Sequence, residues 1–393
     1  MIRKKILVII STFGMGGTVS SLKAMLSLID HRLVEFDVFA LYKVGPNINS
    51  LSNANILKES VWLSASIKET RGLKRYVQIL LRIIKNLLSF FQIDVTPFYV
   101  RMGAKELHLE QYDCVISYSE DLTKFVSLFP VKHKIAWTHS VYSRYLELTD
   151  RGCELNYYKC FDYIICVSEY AKMDFISVYD SLKEKVKVIY NCCDEKKLTE
   201  LSKAYIPEEF NRTDKLRQFY IVSVGRLDPV KQFSAIPRIA SVVKAKLGSC
   251  FKWFIIGGAC GDGKEANTIS SKIVEYQVGD IVSLLGGKEN PYPYIVNSDV
   301  FVHTSLSETF GMVVQEALAL GVPAVLNNYG SAYEMVIDGV NGRVVPISQI
   351  ADVLINMIRD HAYYQGIKNQ TMITGQKESI LHKESPTLLV KLI

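Results

Sequence analysis

The feature that most constrains this chain is the regular alternation of short apolar runs with segments long enough to form helices. The runs are "KILVII", "EFDVFAL", "DCVISYS", "KIAWTH", "DYIICVS" and "VKVIY", then "FYIVSVG", "KWFIIGG", "IVSLLG", "DVFVHTS" and "PAVLN". Strands rich in Val, Ile and Leu with little polar alternation are covered on both faces, and helix-length spacers between them supply that cover. The pattern predicts an α/β fold of doubly wound parallel sheets. It stops and restarts across residues 192–217, a polar stretch containing Pro207. At 393 residues the chain exceeds what one core usually serves. Two domains are therefore expected, 1–200 and 201–375, followed by a C-terminal tail at 376–393. Ligands of open α/β sheets sit beyond the carboxyl ends of the strands, so the loops after Ile10, Ile135–Trp137, Val224 and Val302 are where function is sought.

Composition narrows the classes. Hydrophobic residues at 49% and charged ones at 22% describe ordinary globular domains. The formal charge of +6 is modest and its surplus lies in the first half. No long basic stripe interleaved with aromatics occurs, so nucleic acid is not an expected partner. Cys114, Cys153, Cys160, Cys166, Cys192, Cys193, Cys250 and Cys260 form no CxxC pair and no zinc-like spacing, which points to a reducing, cytoplasmic setting. The opening "MIRKKILVIISTFGMGG" has too short an apolar core for a signal peptide and reads as a first strand entering a glycine loop. No window is long and apolar enough for a membrane span.

Three segments carry chemistry. In "STFGMGGTVSSL" Gly14, Gly16 and Gly17 precede a helix expected near Thr18, where backbone can approach a ligand and the helix N-terminus favours an anion. A glycine turn used only for packing is the alternative. A dinucleotide fingerprint fails because position 19 is Val, which argues against a nicotinamide dehydrogenase. In "SVGRLDPVKQF" Arg226 and Lys231 follow a buried strand, a planar cation and a point charge suited to a diphosphate. In "SLSETFGMVVQEALALGVPAV" a helix expected from about Phe310 is apolar nearly all round yet carries Glu316, with Glu308 just before it. A carboxylate in such a helix needs a partner or a ligand, unless it sits on the one solvent-facing strip. Anion-binding backbone, two cations and two hydroxyl acceptors in one half-chain describe a nucleotide-sugar site.

With these segments the chain resembles the retaining glycosyltransferases of family four, which have the GT-B fold: two doubly wound Rossmann-like domains facing each other across a cleft. The resemblance is strongest over residues 219–345 and rests on the Glu-x7-Glu pattern of Glu308 and Glu316 and on "SVGRLDPVKQF". It implies that Glu316 accepts hydrogen bonds from the nucleotide ribose, Glu308 holds donor-sugar hydroxyls, and Arg226 and Lys231 neutralise the departing diphosphate. It further implies that backbone around Gly287 meets the base, backbone around Phe310, Gly311 and Met312 meets sugar and phosphate, and Gly16 and Gly17 border the diphosphate and acceptor. His139 then lies near the reacting sugar carbon, the alternative being a satisfied core or loop histidine. No cofactor is implied, since the nucleotide sugar is a substrate, with UDP-sugar favoured over GDP-sugar, and no Asp-x-Asp metal motif occurs. The implied activity is a retaining hexosyl- or N-acetylhexosaminyltransferase of bacterial surface polysaccharide or lipid-linked glycan synthesis. Other readings on the same fold are a nucleotide-sugar epimerase and a non-catalytic partner subunit; the latter is disfavoured because all four donor-site side chains are present. Departures from the pattern are Cys192 after Asn191 and Ser331 in "YGSAYE", each where glycine is usual, and an end, "TGQKESILHKESPTLLVKLI", without the aromatic helix by which chains of this family cross back onto the first domain, so the resemblance does not fix whether the tail crosses back.

The acceptor side is less legible. Residues 71–101 hold Arg71, Lys74, Arg75, Arg82, Lys85 and Arg101 against one acid, Asp94, with Ile79, Leu80, Ile83, Ile84, Leu87, Leu88, Phe90 and Phe91 as apolar surface. Two readings stand: a basic amphipathic helix lying on the inner membrane surface to meet a lipid-linked acceptor, or a core-packing helix with a solvated basic face.

Overall fold

The computed structural model describes residues 3–14, 16–51, 53–65, 72–210, 218–259, 261 and 263–393, with 375–383 described by backbone alone. Arg71, Cys260 and the 211–217 part of the polar linker lie outside these residues. The chain forms two compact units, Met1–Cys192 with Lys383–Ile393, and Cys193–His382.

The first unit is built on β1 (Lys4–Thr12), β2 (Val34–Tyr42), β3 (Asn55–Ile56), β4 (Cys114–Ser117), β5 (His133–Thr138), β6 (Tyr163–Cys166) and β7 (Val186–Val188). They form one parallel sheet in the order β3-β2-β1-β4-β5-β6-β7. The order reverses at β1, which pairs Ile6 with Phe36 on one side and Val8 with Ile116 on the other. Ile6 to Ile10 are buried, as a strand covered on both faces requires.

The second unit repeats the plan with β8 (Phe219–Val224), β9 (Phe251–Ile256), β10 (Val282–Leu284), β11 (Val300–His303), β12 (Ala324–Asn327) and β13 (Gly342–Val345), all parallel in the order β10-β9-β8-β11-β12-β13. Alternation along β9 shows why its run is unbroken. Phe251, Trp253 and Ile255 enter one core with Leu354 and Met357, while Phe254 and Ile256 enter another with Val314 and Leu318. Two strands escape the sequence pattern. β3 is too short for a period, and β13 contains Gly342 and Arg343, which break the apolar run. Gly342 is required there, because a Cβ would stand 2.0 Å from the Ala324 carbonyl oxygen.

The division falls at Cys192/Cys193 rather than at 200/201. The helix Glu195–Ser202 packs on the helix Tyr292–Asn297, with Asn290 Nδ2 donating to the Leu201 carbonyl at 2.8 Å. At the other end the helix His361–Leu392 starts in the second unit, and residues from Lys383 onward belong to the first, where Lys4 Nζ donates to the Ile393 carbonyl at 2.7 Å.

Residues 71–101 depart from the core-packing reading. They form the helix Leu73–Phe90 and the start of the helix Thr96–Glu106. Within Leu73–Phe90, Gln78 is the buried residue. Its amide donates to the Ser64 carbonyl at 2.9 Å, Arg82 reaches the Ser64 and Ala65 carbonyls, and Lys85 lies over the Tyr99 ring at 5.5 Å. The opposite stripe, Leu73, Tyr76, Val77, Leu80, Ile83, Ile84, Leu87 and Phe90, is exposed, with Leu80 at 58%, Ile83 at 59% and Phe90 at 81%. These positions follow the i, i+3, i+4, i+7 rule of one helix face. The helix thus grips its domain with polar groups and turns its apolar face to solvent, the reverse of ordinary core packing.

Candidate functional site

The second unit's site grows from its topological switch point, between β8 and β11. After β8 the chain turns through Gly225 and Arg226 to a short 3-10 turn, Pro229–Lys231, opened by Asp228 accepting from the Val230 N–H at 3.0 Å. After β11 the loop Thr304–Ser307 is laced to that turn. Thr304 Oγ1 donates to the Lys231 carbonyl at 2.7 Å, Leu306 N to the Val230 carbonyl at 2.8 Å, and Ser305 Oγ to the same carbonyl at 3.1 Å. From beyond β12, Ser331 Oγ donates to the Glu308 carbonyl at 2.8 Å.

This lacing delivers Lys231 onto Glu308. Lys231 Nζ donates to Glu308 Oε1, and His303 Nε2 meets the same oxygen at 2.7 Å. The Glu308 side chain is 12% exposed and that of His303 is 0% exposed. Burial pushes the Glu308 carboxyl up, but His303 and Lys231 outweigh it through hydrogen bonds and charge and hold it at about 2. Glu308 is therefore ionised across the physiological range. Arg226 is exposed at the same strand end.

Past Glu308 the chain enters the helix Met312–Ala319 through Gly311, which has φ 79° as its N-cap. A side chain there would be strained by that φ, and its Cβ would also press on Met335 Cε at 2.9 Å. No side chain caps this helix end and no acid lies in its first turn, so its leading N–H groups are left for other acceptors. Phe310 is buried in the core beside it and Met312 is partly exposed. Glu316 lies one turn further and is partly buried; it accepts from the Tyr292 hydroxyl at 3.1 Å. Burial pushes its carboxyl up to about 7, with the Tyr292 bond working the other way. Gly287, exposed after β10, backs onto Gly258 in the loop after β9.

In the first unit, Gly16 caps and Gly17 begins the helix Gly17–Leu28 just past β1. His139 follows β5, with its ring against Tyr118 and Trp137. Burial pushes its imidazole down to about 3, with a backbone hydrogen bond at Tyr118 working the other way. Its Nε2 is buried without a partner among the described residues. The buried Glu120 carboxylate accepts the backbone N–H groups of His139 and Ser140, the latter at 2.6 Å, and so fixes the loop.

Lys231 and Glu308 are thus in contact, and Arg226, Gly287, Phe310, Gly311, Met312 and Glu316 stand at strand or helix ends of the same unit. Gly16, Gly17 and His139 belong to the other. Sequence reasoning missed His303, Tyr292 and the bond from Ser331. A histidine ending the otherwise apolar "DVFVH" was the one available signal; nothing marked Tyr292 within "NPYPY".

Residues 206–374 match the family model for glycosyl transferases group 1. The chain is 30% identical over 169 residues to an uncharacterized glycosyltransferase of Methanocaldococcus jannaschii, covering 43% of this chain and 40% of that protein. It is 27% identical over 205 residues to the N-acetylgalactosamine-N,N'-diacetylbacillosaminyl-diphospho-undecaprenol 4-alpha-N-acetylgalactosaminyltransferase of Campylobacter jejuni, 52% of this chain and 48% of that one. Each match spans less than half of the relative's length. Among solved structures, Anabaena Alr3699/HepE in complex with UDP and glucose superposes with a TM-score of 0.72 at 17% identity, covering 98% of this chain and 99% of that one. The fold is GT-B, two parallel-sheet Rossmann-like domains, and residues 206–374 of the second unit resemble the group 1 glycosyl transferases, a resemblance shared with a capsular polysaccharide biosynthesis glycosyltransferase of Staphylococcus aureus at 27% identity.

Proposed function

We propose that the protein transfers a hexosyl or N-acetylhexosaminyl residue from a UDP-sugar to a glycan or lipid-linked acceptor, with retention of anomeric configuration. The observation that carries this reading is the buried, ionised Glu308 held by Lys231 at the switch point, one short loop before an uncapped helix bearing Glu316. Glu308 accepts hydrogen bonds from donor-sugar hydroxyls and Glu316 from the ribose. The helix end at Gly311 and Met312 and the cations Arg226 and Lys231 take up the diphosphate charge as the bond from anomeric carbon to phosphate oxygen breaks. The acceptor oxygen bonds to that carbon on the same face, and the departing phosphate oxygen takes its proton. With two side-chain cations on the diphosphate the reaction needs no metal. Gly16, Gly17 and His139 serve the acceptor side; His139 is neutral, so it binds as a hydrogen-bonding group rather than as a charge.

The acceptor is lipid-linked and the protein works at the inner face of the membrane. The solvent-facing apolar stripe of Leu73–Phe90, flanked by exposed Lys74, Arg75 and Lys85, supports this, because it suits an anionic interface. The polyprenyl-linked substrate named for the Campylobacter relative agrees with it. Among the described residues no helix is long and apolar enough to cross a membrane.

The test is incubation with a panel of UDP-sugars and polyprenyl-diphosphate glycans, with and without EDTA, and NMR of the product anomer. A retained anomer formed despite EDTA, with Glu308→Gln inactive, is the expected result. An inverted anomer, or conversion of the donor without any acceptor, overturns the reading.

A further inference from the structure

We infer that His303 is a positioning residue for Glu308, holding the carboxylate through Oε1 so that Oε2 stays directed at the donor sugar; this rests on the sugar-transfer reading. His303 ends β11, and the two-residue period of the strand sets its ring on the side of Phe301. Three rings fix the plane of the imidazole: Phe301 stacked at 6.0 Å, Tyr329 edge-on at 6.1 Å and Phe233 edge-on at 6.5 Å. So confined, the ring presents Nε2 to Glu308 Oε1 at 2.7 Å. An ionised carboxylate only accepts, so the proton of that bond sits on Nε2.

Two further observations separate this role from packing. First, the opposite nitrogen, Nδ1, is buried and has no partner among the described residues. An unpaired polar atom in a core is costly, and a leucine of similar volume would fill the slot without that cost. The imidazole earns its place through Nε2. Second, Lys231 bonds the same oxygen, and among the described residues no group is seen on Oε2. Lys231 is a flexible point charge that an arriving diphosphate attracts. His303 is rigid and buried, and its hold on Oε1 does not depend on where Lys231 goes. The lysine supplies charge; the histidine supplies direction.

The test compares wild type, His303→Leu and His303→Gln for kcat, donor KM, the pH profile of kcat and melting temperature, using a UDP-sugar that the wild type transfers. Losing one hydrogen bond to a charged group is expected to lower kcat of His303→Leu by about ten- to hundredfold, with donor KM changed by less than about threefold. Its melting temperature should equal or exceed that of wild type, and the acid limb of its pH profile should move upward. His303→Gln, whose amide N–H can stand where Nε2–H stood, should recover most of the rate. A His303→Leu enzyme with wild-type kcat and pH profile overturns the inference alone. A loss that follows a fall in melting temperature and is not recovered by Gln overturns it too. A wild type that transfers no sugar from any UDP-sugar sinks this inference and the transfer reading together.

Discussion

The helices Met312–Ala319 and Leu73–Phe90 use apolar residues in opposite ways. In the first, Val314, Ala317 and Leu318 are buried, and the polar Gln315 and Glu316 beside them are the groups an apolar core does not explain, Glu316 alone of the two carrying a charge. In the second, the apolar stripe is exposed, and polar Gln78 and Arg82 make the attachment. Periodicity reports how apolar residues are distributed around a helix, but the neighbouring loop decides which face is inside. Here the carbonyls of Ser64 and Ala65 claim the polar face, so the stripe is left outward. Where the helix face contradicts its surroundings, whether by a carboxylate among apolar residues or by apolar residues in water, a missing ligand is the economical explanation.

The comparison breaks hardest on activity. Glu308→Gln removes the charge that Lys231 and His303 hold, and sugar transfer should fall by about 10²–10³-fold in an initial-rate assay. Replacing Lys74 and Arg75 by Gln on the exposed helix should leave transfer to a water-soluble acceptor within about twofold of wild type. Equal losses in the two variants would mean that the basic helix belongs to the reacting site.

Stability sharpens the contrast next. Leu318→Ala opens a hole in a closed core and should cost about 2–4 kcal/mol in urea unfolding. Leu80→Ala, more than half exposed, should stay within about 0.5 kcal/mol. Should Leu80→Ala cost as much as Leu318→Ala, the stripe is covered in solution and the membrane reading falls. A vesicle assay approaches the same point from the other side. Leu80→Ser with Leu87→Ser should weaken binding to vesicles rich in anionic lipid by about tenfold or more, while each Lys or Arg neutralised costs about 1 kcal/mol, an effect that added salt erases.

How far such features were legible beforehand follows from what each depends on. The strands could be read because burial on both faces leaves a continuous apolar run; β13 could not, because Gly342 and Arg343 interrupt it at a place chosen by its closeness to β12. Lys231 and Glu308 were legible as chemistry, but their contact depends on the hydrogen bonds of Thr304, Ser305 and Leu306 to the Lys231 turn, which no local pattern announces. Ser331, a departure from the expected glycine, turned out to donate to the Glu308 carbonyl. Tyr292 stands 24 residues before Glu316, and His303, although only five before Glu308, meets it because the intervening loop folds back, so only the packed structure pairs them. The direction of the Leu73–Phe90 stripe was open for the same reason.

The smallest effect concerns pH and tests whether Glu316 is a ligand group. Its carboxyl is raised to about 7 by burial, above its unfolded value near 4.5. Between those values the folded state binds more protons than the unfolded, so stability falls as pH rises through that window and levels off above it. Glu316→Gln has no proton to lose there. Without ligand it should gain roughly 2–3 kcal/mol on wild type between pH 5 and pH 8, read as the difference of two unfolding curves. Ribose hydroxyls reverse the preference, because they donate to the ionised form. UDP affinity of the wild type should therefore climb towards pH 7 and then flatten, while that of Glu316→Gln stays low and flat. The exposed helix carries no acid between Leu73 and Phe90, so its binding to anionic vesicles should not change over the same range. Should UDP affinity ignore pH in the wild type, Glu316 is a buried carboxyl with no part in holding the nucleotide, and its place in the apolar helix needs another explanation.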